Sequence, residues 1–180
     1  MNKVYLFLID GFEETEALAT VDVMRRAALP VVTVSLTGKQ TVTGSHHIAV
    51  EADARFEELD FSDASMLVIP GGTSKFAEHE GLLSLVSRKY EEGILLSAIC
   101  AAPMVFGKLG LLKGRKATCY PGFEKFLEGA EVTGAMVQED GIFITAKGPA
   151  AALPFGYAIV EKLCGKERAD SVRAAMLYEE

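Results

Sequence analysis

An α/β fold of a single domain, with a doubly wound parallel sheet and helices on both faces, is predicted by three observations. Apolar runs short enough for strands recur along the chain. Amphipathic stretches of helical period separate them, and turn residues punctuate the joins. Strands covered on both faces read as uninterrupted hydrophobic runs, because helices bury each side of the sheet. The length, 180 residues, suits one domain over residues 1–180 and a core that needs no metal or disulfide staple.

The first run, Val4–Ile9, is apolar throughout and ends at Asp10-Gly11, as expected of a strand buried on both faces. From Glu14 to Ala28, residues Ala17, Leu18, Val21, Met24 and Ala28 recur at helical spacing. Val31–Leu36 is a second strand, Thr37-Gly38-Lys39 a turn, and Ile48–Val50 a short third strand, on their β-branched content and flanking turn residues. Met66–Ile69 is a buried strand stopped by Pro70-Gly71-Gly72. Leu82, Leu83, Leu85 and Val86 place a helix that ends at Gly93. The strand Ile94–Ile99 runs without a spacer into Cys100-Ala101-Ala102-Pro103 and a helix through about Leu109. Ala117–Tyr120 reads as a short strand and Phe123–Leu127 as a helical turn. Ala135–Gln138 and Ile142–Ala146, divided by Glu139-Asp140-Gly141, read as a small hairpin. Helices from about Ala150 to Leu163 and Arg168 to Leu177 complete the pattern. Neither an internal repeat nor a low-complexity linker is present.

Composition narrows the function. The formal net charge is −7, and no Lys/Arg cluster offers a stripe that would track phosphates, which argues against nucleic acid as a partner and against an anionic membrane surface. Three scattered cysteines, Cys100, Cys119 and Cys164, form neither a disulfide framework nor a zinc pattern. They fit a reducing, cytoplasmic compartment. The run Val4–Ile9 is too short for a signal-peptide core, and no later run is long enough to span a bilayer. No GxGxxG follows a strand, and Asp10-Gly11-Phe12-Glu13 would put acids against a pyrophosphate, which removes a dinucleotide site from consideration. No cofactor and no metal are called for. His46 and His47, neighbours that a strand would point to opposite faces, and His79, in a polar stretch, read as surface residues without ligand spacing.

In a doubly wound sheet the ligand crevice lies beyond the carboxyl ends of the strands. That singles out Ile9-Asp10-Gly11, Ile69-Pro70-Gly71-Gly72 and Ile99-Cys100-Ala101. Cys100 sits where a strand turns sharply into a helix, the geometry that exposes a nucleophile-elbow serine. Ala98, Ala101 and Ala102 are small enough for close backbone packing, and Pro103 belongs in a first helical turn. A thiol facing a helix N-terminus is expected to have a lowered pKa. The alternative for any free cysteine is a small buried hydrophobe. Gly71 and Gly72 permit positive φ and close approach, so their N–H groups are candidate oxyanion donors; the plainer reading is an ordinary tight turn. Glu13 and Glu14 read as acids complementing a helix dipole. Glu16 begins the apolar stripe and is expected to turn into the crevice, where burial would raise its pKa and let it move a proton at the sulfur.

Together these segments carry a resemblance. Ala98-Ile99-Cys100-Ala101, Val68-Ile69-Pro70-Gly71-Gly72, Glu14-Thr15-Glu16, Val21-Asp22-Val23-Met24-Arg25-Arg26, Glu139-Asp140-Gly141 and Lys147-Gly148-Pro149 are similar, in order and over nearly the whole chain, to the ThiJ/PfpI family. The likeness is greatest to its branch containing the Parkinson-disease-associated protein deglycase. The resemblance implies a flavodoxin-like sandwich, as in class I glutamine amidotransferases, usually assembled as a homodimer. It places the family cysteine on Cys100, its partner carboxyl on Glu16, and the oxyanion-side backbone on Gly71, Gly72 and Ala101. The activities it implies are a glutathione-independent glyoxalase acting on 2-oxoaldehydes or a deglycase of protein or nucleotide, with a small carbonyl or glycated substrate. An oxidation sensor or chaperone using oxidation of Cys100 to the sulfinate, held by the partner carboxyl, is the implied alternative. The chain also departs from the pattern. Ala101 stands where peptidase-like members carry a His, which argues against peptidase chemistry. Tyr120, in Thr118-Cys119-Tyr120-Pro121, stands where the deglycase branch has a His before Pro, and a phenol of pKa about 10 is a poor base at neutral pH. Cys119 is a possible resolving thiol or simply a small strand residue. His46 stands where the branch has an Arg at its dimer side.

Overall fold

The structure, a computed structural model, describes residues 2–178. The chain opens with strand β1 (Lys3–Leu8) and helix α1 (Glu14–Arg26), and returns through β2 (Val31–Ser35). A side hairpin of β3 (Thr41–Thr43) and β4 (Ala49–Glu51) and the short β5 (Ala54–Arg55) follow. Next come β6 (Ala64–Ile69), α2 (Glu80–Glu91), β7 (Leu95–Ile99) and α3 (Pro103–Lys108). The last part holds β8 (Lys116–Ala117), β9 (Glu131–Val132), β10 (Val137–Asp140), β11 (Phe143–Ala146), α4 (Ala152–Cys164) and α5 (Lys166–Ala175).

Seven strands form the central sheet in the order β10-β11-β7-β6-β1-β2-β5. Every ladder in it is parallel except β10–β11. Val4 to Leu8 in β1 are completely or almost completely buried, because α1, α4 and α5 gather on one face of the sheet and α2 and α3 on the other. From β1 the chain winds outward through β2, then crosses back to start the other half at β6. The switch point is therefore the β1–β6 pair, and the crevice outside its carboxyl ends is where such folds bind ligands. The helix α4 packs closely on α1: a Cβ on Gly156 would stand 2.9 Å from Val23 Cβ, so only hydrogen fits at that crossing.

Several local readings are corrected. The segment Ala117–Tyr120 is a strand only at its start, because Thr118 N–H donates to Thr145 Oγ1 (2.9 Å) and Tyr120 N–H to the Cys100 carbonyl (2.9 Å) instead of to a continued ladder. Glu139 and Asp140 belong to β10, so the hairpin turn is Gly141-Ile142, with Gly141 at φ 62°. Ile48–Val50 is not in the central sheet: Ala49–Glu51 pairs with Thr41–Thr43 in a separate ribbon. His46 and His47 lie in the turn of that ribbon and not in a strand, with His47 at φ 65°. Ala101 and Ala102 form a turn, and α3 begins only at Pro103 and lasts six residues.

Candidate active site

Cys100 follows the last residue of β7 with φ 67°, a conformation costly for a residue with a Cβ. Two backbone bonds hold it there: its N–H donates to the Ala146 carbonyl at 2.9 Å, and its own carbonyl accepts from Tyr120 N–H at 2.9 Å. The side chain is 8% exposed, at the base of a cavity of about 280 Å³ lined by Gly72, Thr73, Ser74, Ala101, Tyr120 and Phe123. The backbone N–H groups of Ala101 and Gly72 lie close enough to the sulfur to favour its anionic form. A larger cavity of about 420 Å³, lined in part by Phe56 and Phe61, has no cysteine in its lining.

Glu16 reaches the sulfur through the start of α1. Glu13 caps that helix, its Oε2 accepting from Glu16 N–H at 2.7 Å. With the cap closed, the Glu16 side chain turns fully inward. Its Oε2 accepts from Gly71 N–H at 2.7 Å, while Oε1 is buried without a hydrogen-bonding partner. The expected free oxyanion donor at Gly71 is thus engaged in supporting the carboxyl. The position admits no side chain: a Cβ there would lie 2.6 Å from Cys100 Cβ, 2.7 Å from Glu16 Oε2 and 3.0 Å from Cys100 Sγ. Gly72 has φ 95°, and a Cβ on it would collide with the backbone of Gly11, Phe12 and Glu13.

The lowered thiol pKa expected of Cys100 is not what this environment produces. Burial, then the charge and hydrogen bond of Glu16, push the thiol up to about 12, against the pull of the Ala101 and Gly72 N–H groups. The short α3 starts two residues too late to supply a strong dipole. Burial likewise pushes the Glu16 carboxyl up to about 7, opposed by its hydrogen bonds to Cys100 and Gly71. Two acids facing each other in a buried site do not both ionise. The pair keeps one proton through neutral pH, and the sulfur becomes anionic only when the carboxyl carries that proton.

The other residues singled out in the sequence lie at increasing removes. Tyr120, 46% exposed, stands on the cavity wall. Cys119 is buried and is not among the residues lining the cavity; burial and the charge of Glu124 push its thiol up to about 11, which makes it a weak resolving nucleophile at neutral pH. All three cysteines are free thiols. Glu14 is more than a dipole partner: its oxygens accept from His46 N–H (2.7 Å) and Ser45 Oγ (3.2 Å) and pair with His46 Nδ1 (2.7 Å), clipping the β3–β4 turn to α1. Glu13, Glu14 and His46 bring potential ligand atoms within 4.8 Å, but those of Glu14 are committed to the clip. His79, read as a surface residue, caps α2 by accepting from Leu82 N–H at 3.0 Å. Thr73, Ser74 and Phe123 were missed, although Thr73 and Ser74 directly follow the Pro-Gly-Gly strand end. No helix among the described residues is long and apolar enough to cross a membrane.

Residues 2–162 match the model of the DJ-1/PfpI family. The chain belongs to the DJ-1/PfpI family. Protein DJ-1 homolog B of Arabidopsis thaliana is 34% identical over 98% of this chain, but that match spans 41% of the plant protein; the chain thus covers less than half the length of this relative. Protein dj-1beta of Drosophila melanogaster is 32% identical over 98% of this chain and 97% of its own length. Its crystal structure superimposes with a TM-score of 0.93 over 100% of both chains. Deglycase PH1704 of Pyrococcus horikoshii is 28% identical over 82% of this chain and 91% of its own. The expected flavodoxin-like architecture of this DJ-1/PfpI chain agrees with its structural neighbours.

Proposed function

We propose that this chain acts on small reactive carbonyl compounds or glycated adducts, with Cys100 as nucleophile and Glu16 as its proton partner. The observation that carries the reading is the buried Glu16 carboxyl, its Oε1 otherwise unpartnered, set against a sulfur on a strained elbow. Transfer of the pair's one proton from the sulfur to the Glu16 carboxyl leaves a thiolate, the nucleophilic form, and gives the buried carboxyl the neutral state that its burial favours. The deglycase name of one relative supports the same class of substrate.

With a 2-oxoaldehyde the sequence of bonds is as follows. The sulfur attacks the aldehyde carbon, the carbonyl π pair moves to oxygen, and that oxygen takes up the pair's proton to give a hemithioacetal. The N–H groups of Gly72 and Ala101 stabilise the charge on oxygen. Glu16, now a carboxylate, removes the proton on the former aldehyde carbon and returns it to the neighbouring carbon, while the hydroxyl proton passes from the former aldehyde oxygen to the ketone oxygen by way of the enediol, leaving a thioester beside a new hydroxyl. Water hydrolyses the thioester, releasing a 2-hydroxy acid and the free thiol. Tyr120 can donate a hydrogen bond but is not the base.

The test is conversion of methylglyoxal to lactate by the purified protein, with Cys100→Ser as the background. Turnover indistinguishable from that background overturns the reading. The convergence of two N–H groups and a carboxyl on one sulfur also suits a sulfinate, which supports a sensor as the second reading. Intact mass after mild peroxide separates them: two oxygens added at Cys100 alone, without turnover, favours the sensor. The reading includes a homodimer, for which exposed Leu18 and Ile48 offer apolar surface; sedimentation equilibrium tests it.

A further inference from the structure

The Cys100 cavity has a neighbour on the far side of Tyr120. This second hollow, about 260 Å³, is lined by Tyr120, Pro121, Met136, Pro149, Ala150 and Ala151. Tyr120 is the wall common to both. Its ring lies flush on the backbone, since a Cβ on Gly148 would stand 3.1 Å from Cδ2 and 3.6 Å from Cε2. Its N–H is bonded to the carbonyl of Cys100 itself, at 2.9 Å, so its backbone is tied directly to that of the nucleophile. The two prolines stiffen the lining. Lys147, the one charged residue at the hollow, has Nζ turned to the Gly134 carbonyl at 3.2 Å.

A third space adjoining the Cys100 cavity carries charge. Ser74 is shared with this space of mixed lining, where Glu78, Lys108, Lys125 and Glu128 stand beside Met104 and Phe126. A substrate with one reactive and one apolar end is thereby oriented, its carbonyl on sulfur and its apolar end past Tyr120. Each hollow is smaller than the roughly 300–1,000 Å³ of typical ligand pockets, so the pair suits one small molecule spanning both.

We propose that the hollow beyond Tyr120 is the substituent pocket of the Cys100 site and selects carbonyl substrates bearing an apolar group of about aromatic-ring size. The inference deepens the carbonyl reading and rests on it for the identity of the reactive end, while the pocket itself is tested without turnover. The probe is alkylation of Cys100 by iodoacetamide and by N-benzyl iodoacetamide, followed by peptide mass spectrometry. The exposed Cys164 serves as the internal reference for intrinsic reactivity. The benzyl reagent is expected to favour Cys100 over Cys164 by about 10-fold more than iodoacetamide does, the discrimination that a small apolar contact supplies. Ala150→Phe, an exposed position that fills the hollow, and Met136→Glu, which places charge at its rim, should each abolish that preference. Equal ratios for the two reagents, a preference that survives both variants, or a Cys100 that takes neither reagent would overturn the proposal. Phenylglyoxal should correspondingly exceed methylglyoxal in kcat/KM by about 10-fold. Failure of all turnover with the alkylation preference intact would reject the carbonyl reading and leave the pocket standing.

Discussion

Glu16→Gln should make the protein relatively more stable as pH rises. In the native protein, burial holds the Glu16 carboxyl at about 7 instead of 4.5. Between those values the folded chain keeps a proton that the unfolded chain has lost, so stability falls with rising pH across that window and is level above it. The window is about two and a half pH units, and at about 1.4 kcal/mol per unit the loss is about 3 kcal/mol. Glutamine keeps the oxygen that accepts from Gly71 N–H and adds a donor that can face the sulfur, without the ionisation. The assay is urea unfolding of both proteins, under reducing conditions, at intervals from pH 4 to pH 8.5. The stability of wild type minus that of the variant should drop by about 3 kcal/mol from the acid to the alkaline end. A difference independent of pH would refute the account of Glu16 as a buried acid sharing its proton, and with it the proposed proton partner.

Other outcomes follow from the same geometry. Gly72→Ala meets both a positive φ and a collision with backbone, so it should reduce folded yield and cost well over the ~1 kcal/mol typical of point mutants, read by urea unfolding of whatever is soluble. Gly71→Ala leaves the chain path intact but drives a methyl between Cys100 and Glu16; it should abolish carbonyl turnover while costing about 1–3 kcal/mol of stability. The Glu14 carboxyl, held at about 2 by its bonds to the His46 side chain and the backbone of the ribbon turn, stabilises the fold above 4.5 and loses that contribution as pH falls towards 2. Amide protection factors in Thr41–Glu51, corrected for intrinsic exchange, should therefore fall in that acid range in wild type, and in Glu14→Gln should be low already at pH 6. Tyr120→His puts a base of pKa about 6.5 on the cavity wall; at pH 7.5 it should raise methylglyoxal turnover, and an unchanged rate would mean that Glu16 alone handles the proton.

What could be read along the chain was whatever local pattern dictates. The strands Lys3–Leu8, Ala64–Ile69 and Leu95–Ile99 are apolar runs with turn residues behind them, and that pattern also put Cys100 at a crevice. Glu16 was legible as an acid at the head of an apolar stripe. The pieces that escaped depend on partners remote in sequence. Gly71 serves a carboxyl 55 residues earlier, and nothing in Pro-Gly-Gly distinguishes that role from an oxyanion donor. Glu14 looks like any first-turn acid until the ribbon turn 32 residues later folds over it. Ala54-Arg55 is too short and too mixed to be seen as a sheet edge. The thiol's environment was misjudged because a helix dipole can be inferred from Pro103, whereas the opposing carboxylate and the depth of burial are properties of the assembled crevice. The hollow past Tyr120 joins segments around positions 120, 136 and 150, which no linear pattern connects.

The crossing at Gly156 ties a remote contact to the chemistry. Helix α1 is a stiff rod, and Glu16 lies about two turns, or roughly 10 Å, from Val23 along its axis. Any side chain larger than hydrogen at residue 156 pushes against Val23 and so tends to part α1 from α4, because Val23 already fills that gap. The carboxyl rides on the other end of the rod and would retreat from the sulfur. Reactivity of this thiol is consequently tuned by tolerances at a seam between two helices, and damage to that seam would surface first as a change in redox or acid–base behaviour, well before the protein came apart.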